Sequence, residues 1–144
     1  MILSIDPGTK NLGYAIMARN MTLLEYDNID ISRDPLTQLC AFVSSAISRF
    51  AIDHILVEWQ LSWHNIKTSQ IEHWVMAIAE VNKIKHTWVS NAIKTENKKK
   101  LNYIQRKKYV MDKVLEWYPS VKTFDQADAI YQCIKYFETI KEWA

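Results

Sequence analysis

Glycine is almost missing from this chain: there are two in 144 residues, Gly8 and Gly13, both in one early turn. Where glycine is this scarce, such placement marks a backbone with special demands. The two cysteines, Cys40 and Cys133, lie far apart. No CxxC or HxxxH pair exists, which excludes the usual zinc spacings, and His64, His73 and His86 read as structural or surface residues. Both thiols are expected to be reduced core groups in a cytosolic-type compartment. No apolar run approaches the roughly 20 residues of a membrane helix, so no membrane role is expected. The start, Met1 to Asp6, has no basic n-region and reads as a strand, not a signal peptide. Repeats, linkers and low-complexity segments are also missing, which leaves one domain spanning 1–144.

Net charge is small as well, +2, with 49% hydrophobic and 24% charged residues, the balance of a globular protein. Its distribution is uneven. Between Lys94 and Lys113 stand eight Lys or Arg against Glu96 and Asp112, a local +6 that leaves −4 for the rest. Such a stretch is either a solvated helix face or a contact for a polyanion.

Hydrophobic periodicity sets out the elements. Residues 1–6 form a first strand, and 13–19 and 21–31 complete an antiparallel meander. Asp34-Pro35 opens a helix, with Asp34 as N-cap and Pro35 at its first position. Leu36, Leu39, Val43, Ile47 and Phe50 follow at helical spacing. Residues 54–58 are a short buried strand ending in an acid. Residues 66–85 are a helix with Trp74, Ala77, Ile78 and Val81 on one face, and Ile71, Val75 and Ala79 offer a second face for a dimer seam or for burial within the monomer. Residues 86–90 are a fifth strand. A helix over 102–118 carries Val110, Val114 and Trp117, and a capping box from Thr123 to Gln126 opens the last helix. The order predicts an α/β protein, a five-stranded mixed sheet with helices on its faces.

Asp6 and Glu58 each end a buried apolar strand. Parallel neighbours place such residues at one sheet edge, where open α/β sheets collect ligands. Asp125 and Asp128 are three apart and share a helix face. Buried acids need a counter-charge. Four carboxylates without nearby Cys or His suit a hard cation, Mg²⁺ with Mn²⁺ as substitute. Two such ions can clamp a phosphodiester, one activating water and the other stabilising the leaving oxygen.

These residues resemble those of RuvC-like Holliday junction resolvases. Ser4-Ile-Asp6-Pro-Gly8-Thr-Lys10-Asn11-Leu-Gly13 is similar to their first strand and turn, Val57-Glu58-Trp-Gln60 to their E-x-Q motif, and Asp125-Gln-Ala127-Asp128-Ala129 to their closing D-x-A-D. Arg106-Lys107-Lys108, followed by Val110 and Trp117, looks most like the poxvirus branch. The resemblance implies an RNase H-like fold and a homodimer nicking opposing strands of a four-way junction with two Mg²⁺ or Mn²⁺ ions per site. It implies catalytic acids at Asp6, Glu58, Asp125 and Asp128 and an active-site lysine at Lys107, with Lys108 the alternative. For a poxvirus member the location would be host cytoplasm or virion. Two departures stand out. Leu61 replaces the bacterial wedge aromatic, and no basic residues follow E-x-Q.

DNA-contact candidates are Lys10, Asn11, Gln60, Arg106, Lys108 and the run Lys98, Lys99, Lys100, which is either a backbone track or a solvated loop. Trp59 and Trp63 either stack on exposed bases or pack internally. Two other functional classes compete. An ATP-binding actin-like protein also ends its first strand in such a turn, but needs two domains. A non-catalytic binder of branched DNA would not need all four acids.

Overall fold

The computed structural model describes residues 1–8, 10–59, 66–90 and 102–143. Strands β1 (Ile2–Asp6), β2 (Asn11–Met17), β3 (Leu23–Asp30), β4 (His54–Trp59) and β5 (Lys85–Ser90) form one mixed sheet. The helices are α1 (Pro35–Phe50), α2 (Ile66–Val81), α3 (Tyr103–Trp117) and α4 (Phe124–Trp143). The strand order is β3-β2-β1-β4-β5. β1, β2 and β3 pair antiparallel, as expected of a meander, while β1–β4 and β4–β5 are parallel.

β1 is central and buried along its whole length, so its alternation serves two cores. Leu3 and Ile5 join Ile55, Val57, Leu39, Val43 and Val75 under α1 and α2. Ile2 joins Ala15, Leu56, Val110, Val114 and Ile130 under α3 and α4. By the same alternation Ser4, Asp6 and Glu58 point to the α3/α4 side. Helix α4 lies over β1 and β2 and is tied down by polar contacts: Ser4 Oγ donates to the Ala129 carbonyl at 2.6 Å, and Gln132 Nε2 donates to Ser4 Oγ at 3.0 Å.

Several details depart from the sequence reading. On α2 the buried face is Thr68, Ile71, Glu72, Val75, Met76 and Ala79, with Ala77 exposed and Val81 82% exposed. The stripe is thus rotated from the one expected, and Ile71, Val75 and Ala79 are not available as a dimer seam because the sheet covers them. Helix α2 also stops at Val81. There Lys83 N–H donates to the Glu80 carbonyl and Ile84 N–H to the Ala79 carbonyl, a Schellman arrangement with Lys83 at positive φ, 55°. Asp34 makes no side-chain cap, Leu36 is 42% exposed, and Trp117 is 61% exposed because Val110 and Val114 already fill the inward stripe of α3. Cys133 is buried, but Cys40 is exposed. The reciprocal capping box belongs to Asn102 and Gln105 at the start of α3. Thr123 supplies half of one, since Gln126 Oε1 accepts from Lys122 N–H instead. Among the described residues no helix is long and apolar enough to cross a membrane.

Candidate active site

The site is assembled at the carboxyl edge of β1 and β4. Parallel pairing runs up to Ile5 opposite Val57. Asp6 and Glu58 come one residue later on each strand, at the same level and on the same sheet face. Both are buried, 7% and 5% exposed. Neither could stay ionised in that position without counter-charge or hydrogen bonds.

Gly13 brings the third acid to them. It pairs with Asp6 across β1 and β2. A Cβ at Gly13 would lie 2.5 Å from the Asp125 carbonyl oxygen and 2.8 Å from the Asp125 Cβ. The first turn of α4 therefore rests directly on the strand. Neither glycine has positive φ, so the demand read from their scarcity is one of close approach, not of backbone conformation. At Gly8 the crowding atom is the Asn11 carbonyl oxygen, which would stand 2.2 Å from an added Cβ and keeps the turn tight.

Asp125 is half-buried at the N-terminal turn of α4, where the helix dipole favours a negative charge. Asn28 on β3 donates from Nδ2 to Asp125 Oδ2 at 3.3 Å. Asp128, one turn on, is 5% exposed and accepts a hydrogen bond from Lys107 Nζ. Lys107 points inward because it shares the i, i+3, i+7 stripe of α3 with Val110 and Val114. Its neighbours Arg106 and Lys108 are exposed.

Strand register sets Asp6 and Glu58 side by side, Gly13 seats Asp125 next to the strand pair, and Lys107 reaches Asp128 from α3. The donor set is hard carboxylate oxygen, suited to a divalent cation of the Mg²⁺ type. Among the described residues, no group of three or more His, Cys, Asp or Glu side chains is placed to hold a metal ion. Lys107 supplies the positive charge beside Asp128.

Lys10 and Asn11 are exposed on the turn beside Asp6. Trp59 is 40% exposed but lies on the opposite sheet face, stacked on Trp88 with ring centroids 6.3 Å apart. Gln60, Trp63, Lys98, Lys99 and Lys100 lie outside the described residues. Trp88, Asn28 and the contact role of Gly13 were not selected from sequence. Only strand register reveals them, since each acts on a residue remote in the chain.

Solved structures share this architecture. Thermus thermophilus RuvC in complex with a Holliday junction substrate superposes with a TM-score of 0.73 at 17% identity, covering 97% of this chain and 94% of that one. Fowlpox virus resolvase, solved with Holliday junction DNA, gives 0.68 at 18% identity, covering 96% and 99%. The fold is that of the RuvC-like, RNase H-fold proteins. A crossover junction endodeoxyribonuclease RuvC from Campylobacter hominis is 34% identical over 64 residues, and the match spans 40% of this chain and 40% of that protein's length. A family model described as the poxvirus A22 protein matches residues 1–139, and the chain belongs to that family.

Proposed function

We propose that this protein is a Holliday junction resolvase, a metal-dependent endonuclease that nicks opposing strands of four-way DNA. One observation carries the reading: two buried carboxylates on adjacent parallel strands, Asp6 and Glu58, meet a helix whose Asp125 is seated on Gly13 and whose Asp128 is paired with Lys107. A structural protein gains little from concentrating acids at a sheet edge, because bringing buried like charges together is costly. The junction-bound relatives with the same fold support the choice of substrate.

In this reading Asp6, Glu58, Asp125 and Asp128 hold two Mg²⁺ ions, for which Mn²⁺ substitutes. Bound there, the ions would supply a water nucleophile and neutralise charge on the scissile phosphate. The chain's own contribution is placement. The sheet fixes Asp6 and Glu58, Gly13 sets how closely α4 approaches, and the buried walls exclude bulk water. Lys107 is the cation at hand for negative charge developing on the phosphate. Lys10, Asn11, Arg106 and Lys108 are exposed, and in this reading they take the DNA backbone, which would make binding salt-dependent. The part of Gln60, Trp63 and Lys98 to Lys100 in DNA contact belongs to the same proposal, whereas Trp59, stacked on Trp88 on the other sheet face, is left to packing. One chain holds one such site, so paired cuts require a homodimer. A protein of this kind acts where viral DNA is resolved, in the host cytoplasm or virion.

The test is incubation of a synthetic four-way junction with Mg²⁺ or Mn²⁺, comparing the native chain with Asp6→Asn. Symmetric nicks by the native chain only are expected. Junction binding without cleavage in either metal would instead make it a non-catalytic binder.

A further inference from the structure

Asn28 stands opposite Gly13 in the β2–β3 register, on the face that carries Asp6. Because Gly13 has no side chain, nothing intervenes between Asn28 and the first turn of α4. A directed chain of hydrogen bonds runs through it. The Gln126 backbone N–H can only donate, and it donates to Thr123 Oγ1 at 3.2 Å. The Thr123 hydroxyl donates to Asn28 Oδ1, 2.9 Å away. An amide whose oxygen is engaged on one side presents its NH₂ on the other, and Asn28 Nδ2 donates to Asp125 Oδ2. The Thr123 hydroxyl can donate or accept, but an ionised carboxylate only accepts, so the Asp125 contact sets the amide with Nδ2 towards Asp125 and Oδ1 towards Thr123.

We infer that Asn28 is the positioning residue for Asp125. It holds one carboxylate oxygen as an acceptor, fixes the plane of the group, and leaves Oδ1 outside the chain as the oxygen for a cation. The residue type matters. An aspartate at this position would set a second negative charge about 3 Å from the first and offer no donor. Outer partners of this sort commonly govern metal affinity by 10–100-fold. The inference rests on the reading of Asp125 as a metal-binding acid.

The experiment is Mn²⁺ titration of the full chain without DNA, followed by the electron paramagnetic resonance signal of the free ion. Asn28→Ala is expected to raise the half-saturating Mn²⁺ concentration by about tenfold. Its junction cleavage is expected to return to within a few-fold of the native rate at saturating Mn²⁺. Thr123→Val, which lacks the hydroxyl, is expected to weaken Mn²⁺ in the same direction, whereas Thr123→Ser, which keeps it, restores binding. The Thr123 pair reads the same chain of bonds even where Asn28→Ala does not fold. Native half-saturation in Asn28→Ala, or equal weakening by Thr123→Val and Thr123→Ser, overturns the role of Asn28 while leaving the nuclease intact. A native chain that neither binds Mn²⁺ nor cuts a junction overturns the resolvase reading itself, and this inference with it.

Discussion

The seating of α4 on Gly13 makes Gly13→Ala the most informative single substitution. The added methyl would lie 2.5, 2.7 and 2.8 Å from the carbonyl oxygen, carbonyl carbon and Cβ of Asp125. Two of these are backbone atoms and cannot rotate aside. Restoring ordinary contact near 3.5 Å requires the helix end to withdraw by about 1 Å. The strand cannot yield instead, because β2 is paired on both sides and its neighbours Leu12 and Tyr14 are buried. Overpacking of this kind costs about 1–3 kcal/mol. The withdrawal carries Asp125 away from Asp6 and stretches the Asn28 contact, already 3.3 Å long. A misplacement of about 1 Å at a reacting centre costs on the order of 100-fold in rate. The assay is single-turnover cleavage of a four-way junction at saturating metal, alongside thermal denaturation of the same preparation. The expected result is a lowered Tm, a protein still largely folded at the assay temperature, and a rate loss far larger than the unfolded fraction explains. A Gly13→Ala protein with native rate and native Tm would refute the close-approach argument.

Three further outcomes follow from particular contacts. Lys107→Met leaves Asp128, 5% exposed, without its cation. In chelator it should destabilise the fold by about 1–3 kcal/mol, and Mn²⁺ should raise its Tm more than that of the native chain. An equal loss with and without Mn²⁺ would show that Asp128 does not face the metal site. Lys83→Gly relieves a side chain from the left-handed position that ends α2 and should stabilise by about 1 kcal/mol, seen as a small rise in Tm. An unchanged or lowered Tm would count against strain there. His54 is buried between Thr87 and Tyr136, and burial, assisted by Lys85 and Arg19, pushes its pKa down from 6.5 to about 4. The folded value lies below the unfolded one, so the unfolded chain binds more protons between those limits. Stability should therefore fall as pH drops from about 6.5 to about 4, by at most about 1.4 kcal/mol per pH unit. Denaturant titrations of His54→Gln should lack this component, and an identical pH slope would locate it elsewhere.

Local pattern carried the sequence reading where one segment contains its own cause. The apolar runs of β1 and β4 give way to an acid at Asp6 and Glu58, so the carboxyl end of each strand was legible to within a residue. Lys107 could be separated from Arg106 and Lys108 only through α3, yet the helical stripe it shares with Val110 and Val114 was already in the sequence. The face of α2 was misread for the opposite reason. Apolar residues surround that helix, so periodicity alone offers no unique inward side, and the sheet chose Ile71, Val75 and Ala79. Cys40 looked like core because cysteine is usually buried, but its place on α1 faces solvent.

The amino-acid sequence by itself determined the element order and the positions of the acids near the ends of strands and at the start of a helix. These follow from side-chain periodicity and from the cost of burying charge, both of which act within a few residues. Only the tertiary structure decided that Gly13 supports the backbone of Asp125, and that Asn28 reaches Asp125 from 97 residues away. Contacts of that kind depend on strand register and on the distance between a helix and a sheet, and no local pattern encodes either.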